Sequence, residues 1–306
     1  MLKSRCARSA VGALCLALAA TLSACSAEPK HDRPQVIASF YPLQFVAQRI
    51  VGDQADVTTL TGPGVEPHDL ELTVRQTAKL SDADVVIYEK GVSPAVDGAV
   101  ANSGPEHVLD TTTVVPLQPP AAGEEAANGE SMDNGDPHFW QDPTLLAKVA
   151  TAFTRIMVKV DPENAPSYRA ENDRMQRDLG RLDHDYRTGL AHCTTRTLVV
   201  SHDAFEYLGR RYHLDVRPIA GLSPDAEPSA KHLAQLASLI RDDHITTVFS
   251  ERLASPKLAK TLASDLGITT AVLDPIEGLT PDDSSADYLT LMRQNLAAIR
   301  KANGCS

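Results

Sequence analysis

The chain has 306 residues and a formal net charge of −11, with 29 Lys and Arg against 40 Asp and Glu. That excess disfavours nucleic acid and anionic membrane surfaces as partners and suits a cation as ligand. A chain of this length can bury a sizeable core, most naturally in two lobes.

The N-terminus carries Lys3, Arg5 and Arg8, then "AVGALCLALAA", then "TLSACSAEP". A basic start, a short apolar run and small residues describe an export signal, and the run is too short to span a membrane as a mature helix. Leu22-Ser23-Ala24-Cys25 resembles the bacterial lipobox, whose cysteine becomes the lipid-modified first residue. The alternative is a plain secretory signal cut close by. Both place the working protein outside the cytoplasm. Loss of residues 1–24 moves the formal balance to −14, 26 bases against 40 acids.

From Gln35, "QVIASFYP", "ADVTTLTG" and "DADVVIYEKG" read as strands, and "LQFVAQRIVG" as a helix closed by Gly52. Strands alternating with helices imply parallel pairing and an α/β lobe. Segment 121–137 has five acids, no base and almost nothing apolar, and is expected to be a mobile loop. Asp142-Pro143 and Asp161-Pro162 each supply an N-cap with proline at the first helical position. The second helix should run to about Leu190, with a narrow apolar stripe of Tyr168, Met175, Leu179, Leu182, Tyr186 and Leu190. Roughly 28 residues make a rod of about 40 Å, which reads as a strut between lobes. Beyond it the alternation resumes with "RTLVVSH", "DVRPIAG", "ITTVFSE" and "ITTAVLD" as strands. The expected organisation is a signal over 1–24, a tether over 25–34, a first lobe over 35–161, a linking helix over 162–191 and a second lobe over 192–306.

Cys6 and Cys15 leave with the signal and Cys25 is assigned to lipid, so Cys193 and Cys305 remain as an even pair in an oxidising compartment. A disulfide between them is expected.

Ligands of open α/β lobes collect at the carboxyl ends of strands. His68 follows "ADVTTLTG", His138 lies in "DPHFWQDP", His202 ends "TLVVSH" and Asp274 ends "TTAVLDP", two in each lobe. Each has an ordinary alternative. His68 could be a solvated loop residue, His138 a helix cap, His202 a core histidine satisfied by Asp203, and Asp274 a turn former. Their joint placement favours a metal held in the cleft by all four. Glu66 stands close enough to His68 to be an outer or alternative ligand, and Glu227 and Glu251 are left without a role.

"GPGVEPHDLE", "DPHFWQDP", "DPENAPSYRAENDRMQRDLGRLD", "SHDAFEYLGRRYHL", "GLSPDAEPSAKHLAQL", "VFSERLASPKLAKTLASDLG" and "LDPIEG" together resemble the zinc and manganese solute-binding proteins of bacterial ABC importers. The resemblance runs from about residue 35 to the end. It implies a two-lobed monomeric receptor with a backbone helix that limits closure, delivering a divalent metal to a membrane permease. The family's ligand positions map onto His68, His138, His202 and Asp274. One departure is segment 121–137, which lacks the histidines that zinc members often carry there. Three imidazoles and a carboxylate suit Zn²⁺, whereas Mn²⁺ favours more oxygen ligands. Resembling manganese receptors typically carry glutamate where this chain has His202, so zinc is the expected cargo. A manganese or iron receptor is the alternative within the family. The competing class is a secreted zinc hydrolase, against which stand the absence of an H-E-x-x-H motif and a fourth ligand that would close the site.

Overall fold

A computed structural model of the chain describes residues 33–103, 105–119, 135–281 and 286–306. The export signal, Cys25 and most of the acidic segment lie outside the described residues. Arg33–Ser306 forms one compact unit.

Two four-stranded sheets carry the architecture. The first contains β1 (Gln35–Ala38), β2 (Asp56–Thr59), β3 (Val85–Tyr88) and β4 (His107–Asp110) in the order β2-β1-β3-β4. The second contains β5 (Thr197–Val200), β6 (Asp215–Pro218), β7 (Thr247–Ser250) and β8 (Thr269–Val272) in the order β6-β5-β7-β8. All pairings between these strands are parallel. Central strands buried on both faces read as continuous apolar runs, as "VVIY" and "TLVV" do. The helices in chain order are α1 (Tyr41–Val51), α2 (Val74–Ser81), α3 (Pro94–Ser103), α4 (Pro143–Val160), α5 (Ala165–Gly189), α6 (Glu206–Tyr212), α7 (Ala230–Asp242), α8 (Lys257–Leu266) and α9 (Tyr288–Ala302). The two-lobed α/β expectation therefore holds. The two sheets share one strand order, which makes the lobes architectural cousins.

The long helix is present with a modified start. Pro162–Asn164 forms a 3₁₀ turn, and the α-helix proper runs from Ala165 to Gly189. The Asp161 carboxylate accepts from Tyr168 Oη at 2.5 Å and from Asn164 at 2.8 Å, tying off the turn that begins the rod. Every residue of the expected stripe is buried. With this stripe α5 lies on α4, α1 and α9. One hydrophobic cluster runs from Val36 and Phe40 in the first lobe through Phe153, Met175 and Tyr186 to Leu198, Phe249 and Ile299 in the second. Burial of large apolar side chains contributes about 1.5–3 kcal/mol each, so the lobes are joined by a common core as well as by a linker.

Cys193, just past α5, and Cys305, just past α9, form a disulfide across a sequence separation of 112. Thr194 N–H to Asn303 O at 2.9 Å and Ser306 N–H to His192 O at 3.0 Å flank it, so the C-terminal strand of chain is stitched to the end of α5. In the chain-entropy account, a loop of this length stabilises the fold by about 2–5 kcal/mol. Thiol titration of the denatured, oxidised protein lacking residues 1–25 should therefore find no free thiol, and reduction should lower the denaturation midpoint. Two titratable thiols before reduction would contradict the pairing.

Candidate metal centre

The site lies at the carboxyl ends of the strands of both sheets. His68 comes from the loop after β2. In that loop Gly64 takes φ 81°, open to glycine without steric penalty, and its N–H reaches Leu279 O at 2.8 Å. His138 precedes a 3₁₀ turn, Phe139–Gln141, whose Phe139 and Trp140 are fully buried and pin the segment into the core. Asp142 then caps α4 by accepting from Thr144 N–H at 2.8 Å. His202 follows β5, and Glu251 follows the adjacent β7, so the sheet register sets them side by side.

Three of the four expected residues meet. His68, His138 and His202 each turn a ring nitrogen toward one point, and the fourth group there is Glu277, with all four candidate ligand atoms within 4.8 Å of one another. Asp274 is not among them. Its Oδ1 accepts from Ile276 N–H at 2.8 Å and its Oδ2 lies 3.3 Å from Arg252 Nε, so its carboxylate is spent on shaping the turn. Ile276 adopts φ 62°, and this left-handed residue redirects the chain so that Glu277 points inward. A β-branched residue there costs of order 1–3 kcal/mol and persists only where the surroundings over-determine it. Strand-end placement leads to this loop but points to Asp274, where the structure brings Glu277 to the three histidines.

Glu277 Oε1 stands 3.0 Å from His138 Nε2, 3.4 Å from His202 Nε2 and 3.6 Å from His68 Nε2. Ligand atoms about 2.0–2.1 Å from a tetrahedral ion are about 3.3–3.4 Å apart, and the three separations from Glu277 Oε1 fall around that edge length. Apart from these approaches to one another, the three Nε2 atoms and the two oxygens of Glu277 are buried without a hydrogen-bond partner among the described residues. Buried polar atoms without partners call for an ion or a catalytic role.

Outer carboxylates fix two of the rings. His138 Nδ1 is 2.8 Å from Asp136 Oδ1, and His202 Nδ1 is 2.6 Å from Glu251 Oε1. A proton on Nδ1 directed at the carboxylate leaves the Nε2 lone pair facing the centre, the usual arrangement behind a metal-binding histidine. Glu251, without a role in the sequence reading, thus orients His202. Asp136, the last acid of the acidic segment, orients His138. Glu66 Oε1 accepts from His68 N–H at 3.4 Å. Burial first, and the neighbouring Glu277 charge next, push the Glu66 carboxyl up to about 9.

Burial alone would lower the His138 pKa, but Asp136 and Glu277 outweigh it and raise it to about 9. His202, equally buried, is also raised, by Glu251 and Glu277. Glu277 is held well below the ordinary carboxylate range: burial would raise it, and His202 and then the contacts to His138 and His68 more than reverse that.

The chain matches the family described as "Zinc-uptake complex component A periplasmic" over residues 36–302. It belongs to that family. It is 34% identical over 284 residues to the high-affinity zinc uptake system protein ZnuA of Bacillus subtilis (strain 168), an alignment covering 90% of this chain and 89% of that protein. It is 31% identical over 292 residues to the zinc-binding lipoprotein AdcA of Streptococcus pneumoniae, covering 92% of this chain but only 58% of AdcA. The fold is similar to the crystal structure of the Zn(II)-bound ZnuA-like domain of that AdcA, with a TM-score of 0.74, 29% identity, and coverage of 89% of this chain and 99% of the domain.

The protonation pattern carries a signed consequence for the metal-free protein. His138 binds its proton more tightly folded than unfolded, so its contribution is complete below about pH 6.5 and is lost as pH rises through about 9. His202 and Glu66 act in the same direction. Thermal melts of chelator-treated protein should show Tm falling between about pH 6.5 and 9. A Tm that rises across that window would contradict these assignments.

Proposed function

We propose that this family member is an extracytoplasmic receptor that captures one Zn²⁺ between its lobes and delivers it to an ABC-type permease. The observation that carries the reading is the buried cluster of three imidazole nitrogens gathered 3.0–3.6 Å from one carboxylate oxygen. We assign His68, His138, His202 and Glu277 as the ligands, and Asp136 and Glu251 as the carboxylates that orient two of them. Three nitrogens and one oxygen suit zinc, and Mn²⁺ would ask for more oxygen donors. Four side chains saturate a tetrahedral ion and leave no open position for an activated water, so the site is a receptor site and not a hydrolase centre.

Capture proceeds by exchange of protons for metal. Ligation requires neutral imidazoles, whereas His138 and His202 hold protons among Asp136, Glu251 and Glu277. Arriving Zn²⁺ neutralises the same carboxylates and displaces those protons. The name AdcA carries the word lipoprotein for the streptococcal relative. For this chain, attachment of lipid at Cys25, monomeric action at the outer face of the membrane and the domain bounds given above are part of the proposal. Segment 121–137 gathers cations for the site, and among its described residues Asp136 orients a ligand.

Elemental analysis after dialysis against Zn²⁺ should find one ion per chain. In chelator competition, Glu277→Ala should weaken zinc by more than about 100-fold, while Asp274→Asn should stay within the 10- to 100-fold typical of outer-shell changes. If the two losses were reversed in size, the fourth ligand would be Asp274.

Deletion of residues 121–134 should leave one tight site with slower loading from a donor. Loss of equilibrium binding on that deletion would mean that the segment supplies a ligand.

A further inference from the structure

Glu277 belongs by sequence to the second lobe, yet the chain around it is held largely by the first. Tyr41 N–H reaches Glu277 O at 3.4 Å and Gly64 N–H reaches Leu279 O at 2.8 Å. Most of the polar contact falls on one atom, the carbonyl oxygen of Pro275, which accepts from Trp140 Nε1 at 2.7 Å and also from Gln141 Nε2. Trp140 in turn is fixed from the second lobe, where Tyr288 Oη donates to its carbonyl at 2.5 Å.

Gln141 is a poor choice for stability alone. It is fully buried, its Oε1 has no partner among the described residues, and its side-chain amide donates to a carbonyl that Trp140 already satisfies. An apolar side chain of the same length would bury no unpaired amide oxygen. One residue on from Pro275, Ile276 is kept in the left-handed region although nothing in its own structure favours it. The second-lobe half of the restraint is Asp274, whose backbone N–H is 2.9 Å from Asn295 Oδ1 and whose carbonyl accepts from Asn295 Nδ2 at 2.6 Å. Asn295 thus fixes the start of the turn, and Trp140 and Gln141 fix its middle. Left-handed Ile276 then has one direction in which to send Glu277.

We propose that Gln141 and Trp140 are positioning residues for the fourth ligand: by clamping the Pro275 carbonyl from the first lobe they hold Ile276 left-handed and Glu277 in the metal site. This rests on the zinc-receptor reading above. His138 and Glu277 then answer to one segment, because His138, Trp140 and Gln141 are near neighbours in a single turn. The second lobe's carboxylate is in place only while the first lobe grips its turn.

A double-mutant cycle tests this on the full-length mature protein with Zn²⁺ alone, pairing Gln141→Met and Trp140→Phe, which keep bulk and lose the donor, with Glu277→Gln. Each clamp variant should weaken zinc by about 10- to 100-fold in the native background. In the Glu277→Gln background the same changes should cost less than about threefold, because the group they position has been blunted. With Co²⁺ as probe, the visible absorption of both clamp variants should shift toward that of Glu277→Gln, which a general loss of stability would not produce. Equal losses in both backgrounds, or unchanged affinity in both clamp variants, would overturn the inference. Should Gln141→Met fail to fold, Trp140→Phe carries the cycle alone. A native protein without a tight zinc site would overturn the receptor reading and this inference together, whereas tight native binding with no coupling overturns only the clamp.

Discussion

A carboxylate with almost no access to water, Glu277, lies within 3.6 Å of three imidazole nitrogens that come from two lobes. An isolated buried carboxylate is costly, and it is retained only when positive charge meets it at close range. Here that charge is supplied either by protons on the histidines or by a divalent ion that replaces them. Asp136 and Glu251 add negative charge behind two of the rings, so the site is built around an excess of carboxylate. A site of that composition favours a dication over its protons wherever the imidazoles can be neutral, and it ties metal occupancy to pH.

The fold serves this constraint by bringing strand ends together. Parallel strands put all their carboxyl ends on one edge of each sheet, and segments beyond those ends in both sheets bring His68, His138, His202 and Glu277 together. The shared core beneath, from Phe153 on α4 and Tyr186 on α5 to Ile299 on α9, resists sliding of one lobe on the other. Polar ties reinforce it. Asp183 of α5 takes Arg211 of α6 at 2.9 Å and accepts from Tyr212 Oη at 3.3 Å, and Arg211 also approaches Asp142 at the start of α4, 3.8 Å away. Histidines from two lobes can hold tetrahedral spacing only if the lobes keep their register to within a fraction of an ångström.

Much of this was legible in the sequence for identifiable reasons. Apolar runs such as "VVIY" mark central parallel strands, Asp142-Pro143 marks a helix start, and the stripe from Tyr168 to Leu190 marks the buried face of α5. The strand-end rule picked out the three histidines that the structure brings together, because parallel topology forces loop residues there to converge. For the carboxylate it pointed to Asp274, where the structure brings Glu277. Asp274 is the nearest carboxylate to the end of β8, and only the left-handed Ile276 carries the chain past it, a conformation that isoleucine does not announce as glycine or asparagine would. Glu251 was equally hidden. Its value comes from pairing β7 beside β5, a long-range fact that no local pattern encodes. The partners of the α5 stripe, α1, α4 and α9, were not legible because they are dispersed along the sequence.

X-ray absorption at the zinc edge reads directly which side chains hold the ion. Protein loaded with one equivalent of Zn²⁺ should show a four-coordinate ion with outer-shell scattering from three imidazoles, one light oxygen donor and no sulfur. Replacement of Glu277 by glutamine should alter the oxygen contribution and leave all three imidazoles. A native spectrum with fewer than three imidazoles, or one that does not change when Glu277 is replaced, would contradict the account.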